Sequence, residues 1–180
     1  RELVQVVSKA IARRMDQICI DALDAASSPS TVATGVGGST TNMNIEKLRA
    51  AAKALNDKNV PAEGRHLLVH SSQLDAMLGE TEISSADFAT VKALVRGEVS
   101  SFMGFNIITM GDRDEGGVPK PSTRSCFAWH ESSMGYAESI SQKSEVNYIP
   151  EKTSFLVSSM FSAGAVAIDD EGIVKISCTE

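Results

Sequence analysis

VPAEGRHLLVH at residues 60–70, followed by SFMGFNIITM at residues 101–110, is the pair of segments on which the fold turns. Pro61 and Gly64 punctuate a tight approach, and His66-Leu67-Leu68-Val69-His70 is an apolar run short enough for a buried strand. Gly97 and Gly104 bracket the approach to a second strand, Phe105 to Met110. Between the strands lie two helical patterns. One runs from about Ser72 to Leu78 through Leu74 and Met77. The other runs from Ser85 to Arg96, with Phe88, Val91 and Val95 on one face, Leu94 beside them, and Gly97 as its stop. Strands and helices alternate without a reactive cluster, which predicts an α+β scaffold.

Outward from this block, Arg1 to Ala26 places Leu3, Val7, Ile11, Met15, Ile18 and Leu23 close to helical spacing, with Lys9, Arg13, Arg14 and Asp16 on other faces. A helix of about seven turns is expected, long enough to cross a whole domain. Ser27 to Thr41, SSPSTVATGVGGSTT, reads as a linker with almost nothing to anchor a core. Asn44 then caps a helix with Ile45, Leu48, Ala52 and Leu55 on its apolar face, ending near Asn56-Asp57. Asp112 to Ser122 is a charged Gly and Pro loop leading to a strand, Ser125 to His130. Ser132 to Ala137 reads as a short turn or helix, and Glu145 to Ile149 as a strand stopped by Pro150. Ser154 to Met160 and Ala163 to Ile168 read as strands. The turn Asp169-Asp170-Glu171-Gly172 is expected to send Ile173 to Cys178 back as a terminal hairpin. The simplest packing sets the long helix against the terminal strands, with the central block inserted between them.

Size and composition permit this. A chain of 180 residues suits one large domain or two small ones, and 42% hydrophobic residues suffice for a core. Seventeen Lys plus Arg against 23 Asp plus Glu give a net charge of -6, which argues against a general phosphate-binding surface. Cys19, Cys126 and Cys178 are widely spaced, with no Cys-x-x-Cys pair, and read as reduced core thiols of a cytoplasmic protein. No apolar run reaches the ~18–20 residues of a membrane span.

Candidate chemistry is weak throughout. Gly35-Val36-Gly37-Gly38-Ser39-Thr40 could surround an anion with backbone amides, but no Lys follows Gly38 and no strand precedes the loop. His130-Glu131 beside Ser132 and Ser133, with Asp112 or Asp114 upstream, supplies nucleophile, base and orienter types without a nucleophile elbow. His66 and His70 share one strand face at roughly 13 Å, too far apart for a shared metal. Arg1, Lys9, Arg13 and Arg14 form a basic side on the first helix that could meet phosphates, though Asp16, Asp21 and Asp24 follow closely. The acidic turn at Asp169 to Gly172 lacks the alternating ligand spacing of a calcium loop. No catalytic residue, metal ligand or cofactor site is assigned.

Three segments, VPAEGRHLLV, ISSADFATVKALVRGEV and FMGFNIITM, resemble the axial domain of major capsid proteins of short-tailed bacteriophages, which share the Hong Kong 97 phage fold. FAWHESSMGYA and FLVSSMFSAGAVAIDDEGIVKISC are similar to the segments with which such proteins return to their peripheral domain. The resemblance implies an α+β fold with a spine helix, a central axial domain and a terminal hairpin. It places the peripheral-type domain at residues 1–28 and 151–180 and the axial-type domain at 29–150, without the N-terminal arm and extended loop that usually precede the spine helix. It implies a non-enzymatic subunit of an icosahedral virion capsid, assembled in the host cytoplasm into hexamers and pentamers around double-stranded DNA. Its partners would be identical subunits, scaffolding, portal or decoration proteins, and DNA held without specificity. A nanocompartment shell of the same fold is a related reading. The rival from another class is a small cytosolic hydrolase or ligand-binding α+β protein using His130 to Ser133.

Overall fold

The computed structural model describes residues 2–38, 41–79, 101–112 and 116–179. In chain order the elements are α1 (Glu2–Asp24), β1 (Ser30–Val32), α2 (Ile45–Asp57), β2 (Arg65–His70), α3 (Ser71–Leu78), β3 (Ser101–Phe102), β4 (Phe105–Met110), β5 (Arg124–His130), β6 (Met134–Ile149), β7 (Ser154–Ala167) and β8 (Ile173–Cys178). Short 3-10 turns at Glu131–Ser133, Pro150–Lys152 and Asp170–Gly172 join the last four strands. The helix expected at Ser85 to Arg96, with Phe88, Val91, Leu94 and Val95, lies outside the described residues.

Six strands form one mixed sheet in the order β1-β8-β5-β2-β4-β3. At its centre β2 pairs parallel with β4 (Leu67 with Ile107) and antiparallel with β5 (Leu67 with Ala128). Covered on both faces, β2 has no reason to alternate, which is why Leu67, Leu68 and Val69 are all buried. Leu67 and Val69 face a core built with α2 and α3, including Leu48, Leu55, Met77, Phe105 and Ile176. Leu68 faces the opposite core, with Ile20 and Leu23 of α1, Phe127 and Ile173. Helices thus cover both sheet faces. The β3–β4 connection is a two-residue turn in which Met103 (φ 52) and Gly104 (φ 82) both lie left-handed, as a type I′ hairpin requires.

Local chemistry sets the element boundaries. Asn44 caps α2 by accepting from the Lys47 backbone N–H at 2.8 Å. Arg65, buried at the start of β2, closes the Pro-Ala-Glu-Gly turn by donating to the carbonyls of Pro61 and Val60 and to Asn56 Oδ1. Lys47 is also fully buried, and its Nζ donates to the carbonyls of Thr41 (2.6 Å) and Ser177 (2.9 Å), tying the loop before α2 to β8. Burial pushes this ammonium below its ordinary range, while the neighbouring thiols of Cys178 and Cys126 oppose the shift.

Three sequence expectations change. The segment Ser27 to Thr41 is not only a linker, because Ser30, Thr31 and Val32 pair parallel with Val174, Lys175 and Ile176. Its partner strand lies more than a hundred residues away, so no local pattern announces it. Ser132 to Ala137 is mostly strand. Beyond the 3-10 turn at Glu131–Ser133 it opens a ribbon in which β6 and β7, of 16 and 14 residues, pair antiparallel around Pro150. The separate strands expected at 145–149, 154–160 and 163–168 are parts of this one ribbon.

The third correction concerns the terminal hairpin. β8 does not run back along β7; it leaves the ribbon and inserts between β1 and β5. The turn at Asp169 to Gly172 causes this change of direction. The backbone N–H groups of Ile168 and Asp169 donate to the Ser133 carbonyl, and Asp169 Oδ1 accepts from the Glu171 N–H. Gly172 packs so tightly on this corner that a Cβ there would stand 1.8 Å from Ser133 Oγ and 2.9 Å from its Cβ. Gly172→Ala is therefore expected to destabilise the fold by about 1–3 kcal/mol in urea denaturation, with Ser133→Gly relieving most of the loss. An unchanged midpoint would show that the corner yields freely.

Candidate functional site

No side-chain cluster in the described residues gathers catalytic chemistry, and the structure explains each candidate differently. His130 is 7% exposed, and its Nδ1 meets Ser132 Oγ at 2.7 Å and the Ser132 backbone N–H at 3.2 Å. This is a helix-capping bond for the 3-10 turn. Ser133 is buried at the Gly172 corner. Asp112 is engaged at the far end of β5, in a bidentate pair with buried Arg124 (2.7 and 2.8 Å). Asp112 therefore cannot orient His130, which ends the same strand roughly 20 Å away. Asp114 lies outside the described residues.

The other candidates are also structural. His70 repeats the arrangement of His130, with its Nδ1 2.9 Å from Ser72 Oγ at the start of α3. Its Nε2 lies 3.8 Å from Asp112, while His66 stacks on Trp129 at 5.4 Å, so the two histidines do not converge. Thr41 Oγ1 bonds the carbonyls of Thr34 and Val36, and Asn44 bonds that of Val36, fixing the glycine loop onto α2; its Ser39 and Thr40 lie outside the described residues. In the acidic turn, Asp170 accepts from the Ser28 N–H and Glu171 pairs with Lys58 at 2.9 Å. No group of three His, Cys, Asp or Glu among the described residues is arranged to hold a metal ion. On α1, Arg14 pairs with Asp21 at 3.8 Å; Arg1 lies outside the described residues. Among the described residues, no helix is long and apolar enough to cross a membrane.

What remains is surface. The β6–β7 ribbon carries large apolar side chains in water, with Phe155 72%, Val166 61% and Val146 57% exposed, and Ile168 just beyond β7 is 68% exposed. A two-stranded ribbon has no interior of its own and is marginal alone in water. Here α1 packs along β7 and supports the ribbon. Two bulges, between Glu138 and Ile140 and between Ile140 and Lys143, add twist midway. Distally, Tyr148 and Phe155 pair across the strands with ring centres 5.3 Å apart. The sequence signal for this surface is faint, because serines and charged residues interrupt the alternation from Glu138 to Glu145.

A family model described as "Phage capsid protein" matches residues 1–180. The chain belongs to the phage capsid protein family. This phage capsid protein has a Hong Kong 97-like α+β fold, and its family is a structural one. Among solved structures it is similar to one from Mycobacterium phage Che8, with TM-score 0.73 and 18% identity over 97% of this chain and 61% of that one. It is similar to the acidic stable capsid of Helicobacter pylori bacteriophage KHP30, with TM-score 0.71 and 11% identity over 98% of this chain and 68% of that one. A third is the capsid of cyanophage P-SCSP1u, with TM-score 0.67 and 13% identity over 100% of this chain and 66% of that one. The capsid chain thus spans about three fifths of the length of the first of these structures. No curated protein matches it in sequence.

Proposed function

We propose that this capsid protein self-assembles into hexamers and pentamers that close as an icosahedral shell around double-stranded DNA. The observation that carries the reading is the exposed apolar ribbon. A monomer that kept Val146, Tyr148 and Phe155 in water at the ribbon tip would present an apolar surface of the kind that marks protein–protein contact. Obligate shells bury more than ~2,000 Å² per interface, so the working residues are spread over faces and not gathered in a pocket. The net charge of -6 suits a container that holds packaged DNA only non-specifically, since a strongly basic lining would bind it by counterion release.

The division into a peripheral-type part, residues 1–28 with 151–180, and an axial-type part, 29–150, belongs to this proposal. Identical subunits are the principal partners, with scaffolding, portal or decoration proteins joining them during assembly in the host cytoplasm. Negative-stain electron microscopy of the full-length gene product tests the proposal. Rings, shells or polyheads are expected; particles that stay small and dispersed at every concentration would sink it.

A further inference from the structure

The shell proposal leaves open which surface the distal ribbon meets, and the structure offers one that fits. A cleft of about 280 Å³ opens between α1 and the β4 side of the sheet. Ile108, Met110 and Trp129 line it from the sheet, Met134 from the start of β6, and Asp16 and Cys19 from α1, over the buried Ile20, Leu23 and Leu68. The volume is just below the ~300–1,000 Å³ usual for small-molecule sites and suits one or two large side chains. Ile108 is left 43% exposed at its mouth.

We infer that this cleft receives the tip of the β6–β7 ribbon from a second copy of the chain, with Phe155 and Tyr148 entering it and Lys152 pairing with Asp16. The inference rests on the shell proposal and adds the identity of the two paired surfaces. Phe155 is the most exposed large apolar side chain described, and its contact with Tyr148 makes a compact aromatic knob. Among the described residues, Lys152, in the turn at the tip, makes no ion pair, and Asp16 is the only charged group lining the cleft. The knob cannot fill its own cleft. Met134 both begins β6 and lines the cleft, and the tip lies a full strand further on, roughly 45–50 Å away at ~3.3 Å per residue. Knob and cleft are different surfaces, so the contact is heterologous and propagates from subunit to subunit instead of closing as a two-fold dimer.

The cleft carries its own reporter. Cys19 is partly exposed on the rim, whereas Cys126 and Cys178 are fully buried. Glu151→Cys puts a second accessible thiol beside the knob without touching Phe155, Tyr148 or Lys152. In assembled full-length protein treated with a short bismaleimide, this variant is expected to give a ladder of dimer, trimer and higher species on denaturing gels, lost when Cys19→Ser is added. Phe155→Ala and Ile108→Asp should each raise the concentration needed for assembly by about tenfold or more, with unchanged circular dichroism. Shells that form normally but give no ladder, or only a dimer band, would overturn the pairing and leave the shell proposal standing. A chain that never assembles would overturn both.

Discussion

Phe105→Ala is expected to lower the free energy of unfolding by about 3–5 kcal/mol, the largest single loss predicted for this protein. Phe105 is fully buried and opens β4, where it faces Phe102 across the type I′ turn and fills the core between the sheet and α2. Its removal forfeits both the transfer free energy of the ring and the contacts lining the resulting void, and β4 is too constrained by its pairing with β2 to collapse inward. Chemical denaturation measures this directly. A loss below about 1 kcal/mol would mean that β4 is misplaced.

Asp112→Ala should cost about 3 kcal/mol, although Asp112 itself is half-exposed. The reason lies with its partner. Arg124 has a side chain only 2% exposed and relies on the Asp112 carboxylate, together with the Val118 carbonyl, to offset its lost hydration. Stripping the carboxylate removes both charge-assisted bonds of the bidentate pair from a buried guanidinium, and breaking a buried pair from one side is far costlier than exchanging both members. The double variant Asp112→Ala/Arg124→Met should therefore recover much of the loss. If the double variant falls as far as the sum of its parts, charge burial is not the cause and the loop is held by something else.

Much of the sheet was legible in the sequence, for reasons that particular residues make plain. Asn44 followed by apolar residues at helical spacing announces α2, and the Pro-Ala-Glu-Gly approach to an unbroken apolar run announces β2. Both signals are local. β1 was missed, and β8, whose strand at Ile173 to Cys178 was read correctly, was given the wrong partner, because Val32 beside Ile176 is a long-range pairing that no window can contain. The ribbon failed for another reason. With both faces largely outside the core, β6 obeys no inside–outside alternation, and its two bulges shift the pattern twice within five residues. The surface to which the proposed assembly gives the most to do is thus the one that the chain's own core does not constrain. Lys47 and Arg65 carry no sequence signal of their buried roles, since nothing local foretells that carbonyls of the surrounding turns and of β8 will converge on their charges.

The position of β8 also dictates an order of events in time. It follows every other strand in the sequence, yet in space it lies between β1, at one edge, and β5. Until residues 173–178 have emerged from the ribosome, β1 has nothing to pair with and β5 keeps one edge bare, whereas β6 and β7 emerge earlier, pair only with each other and form their hairpin contacts quickly. A nascent subunit therefore holds its sticky exterior before its interior is closed. Self-association at that moment would trap half-built sheets, so a host producing many copies at once depends on β8 arriving faster than neighbours collide, or on chaperones that shield the ribbon meanwhile.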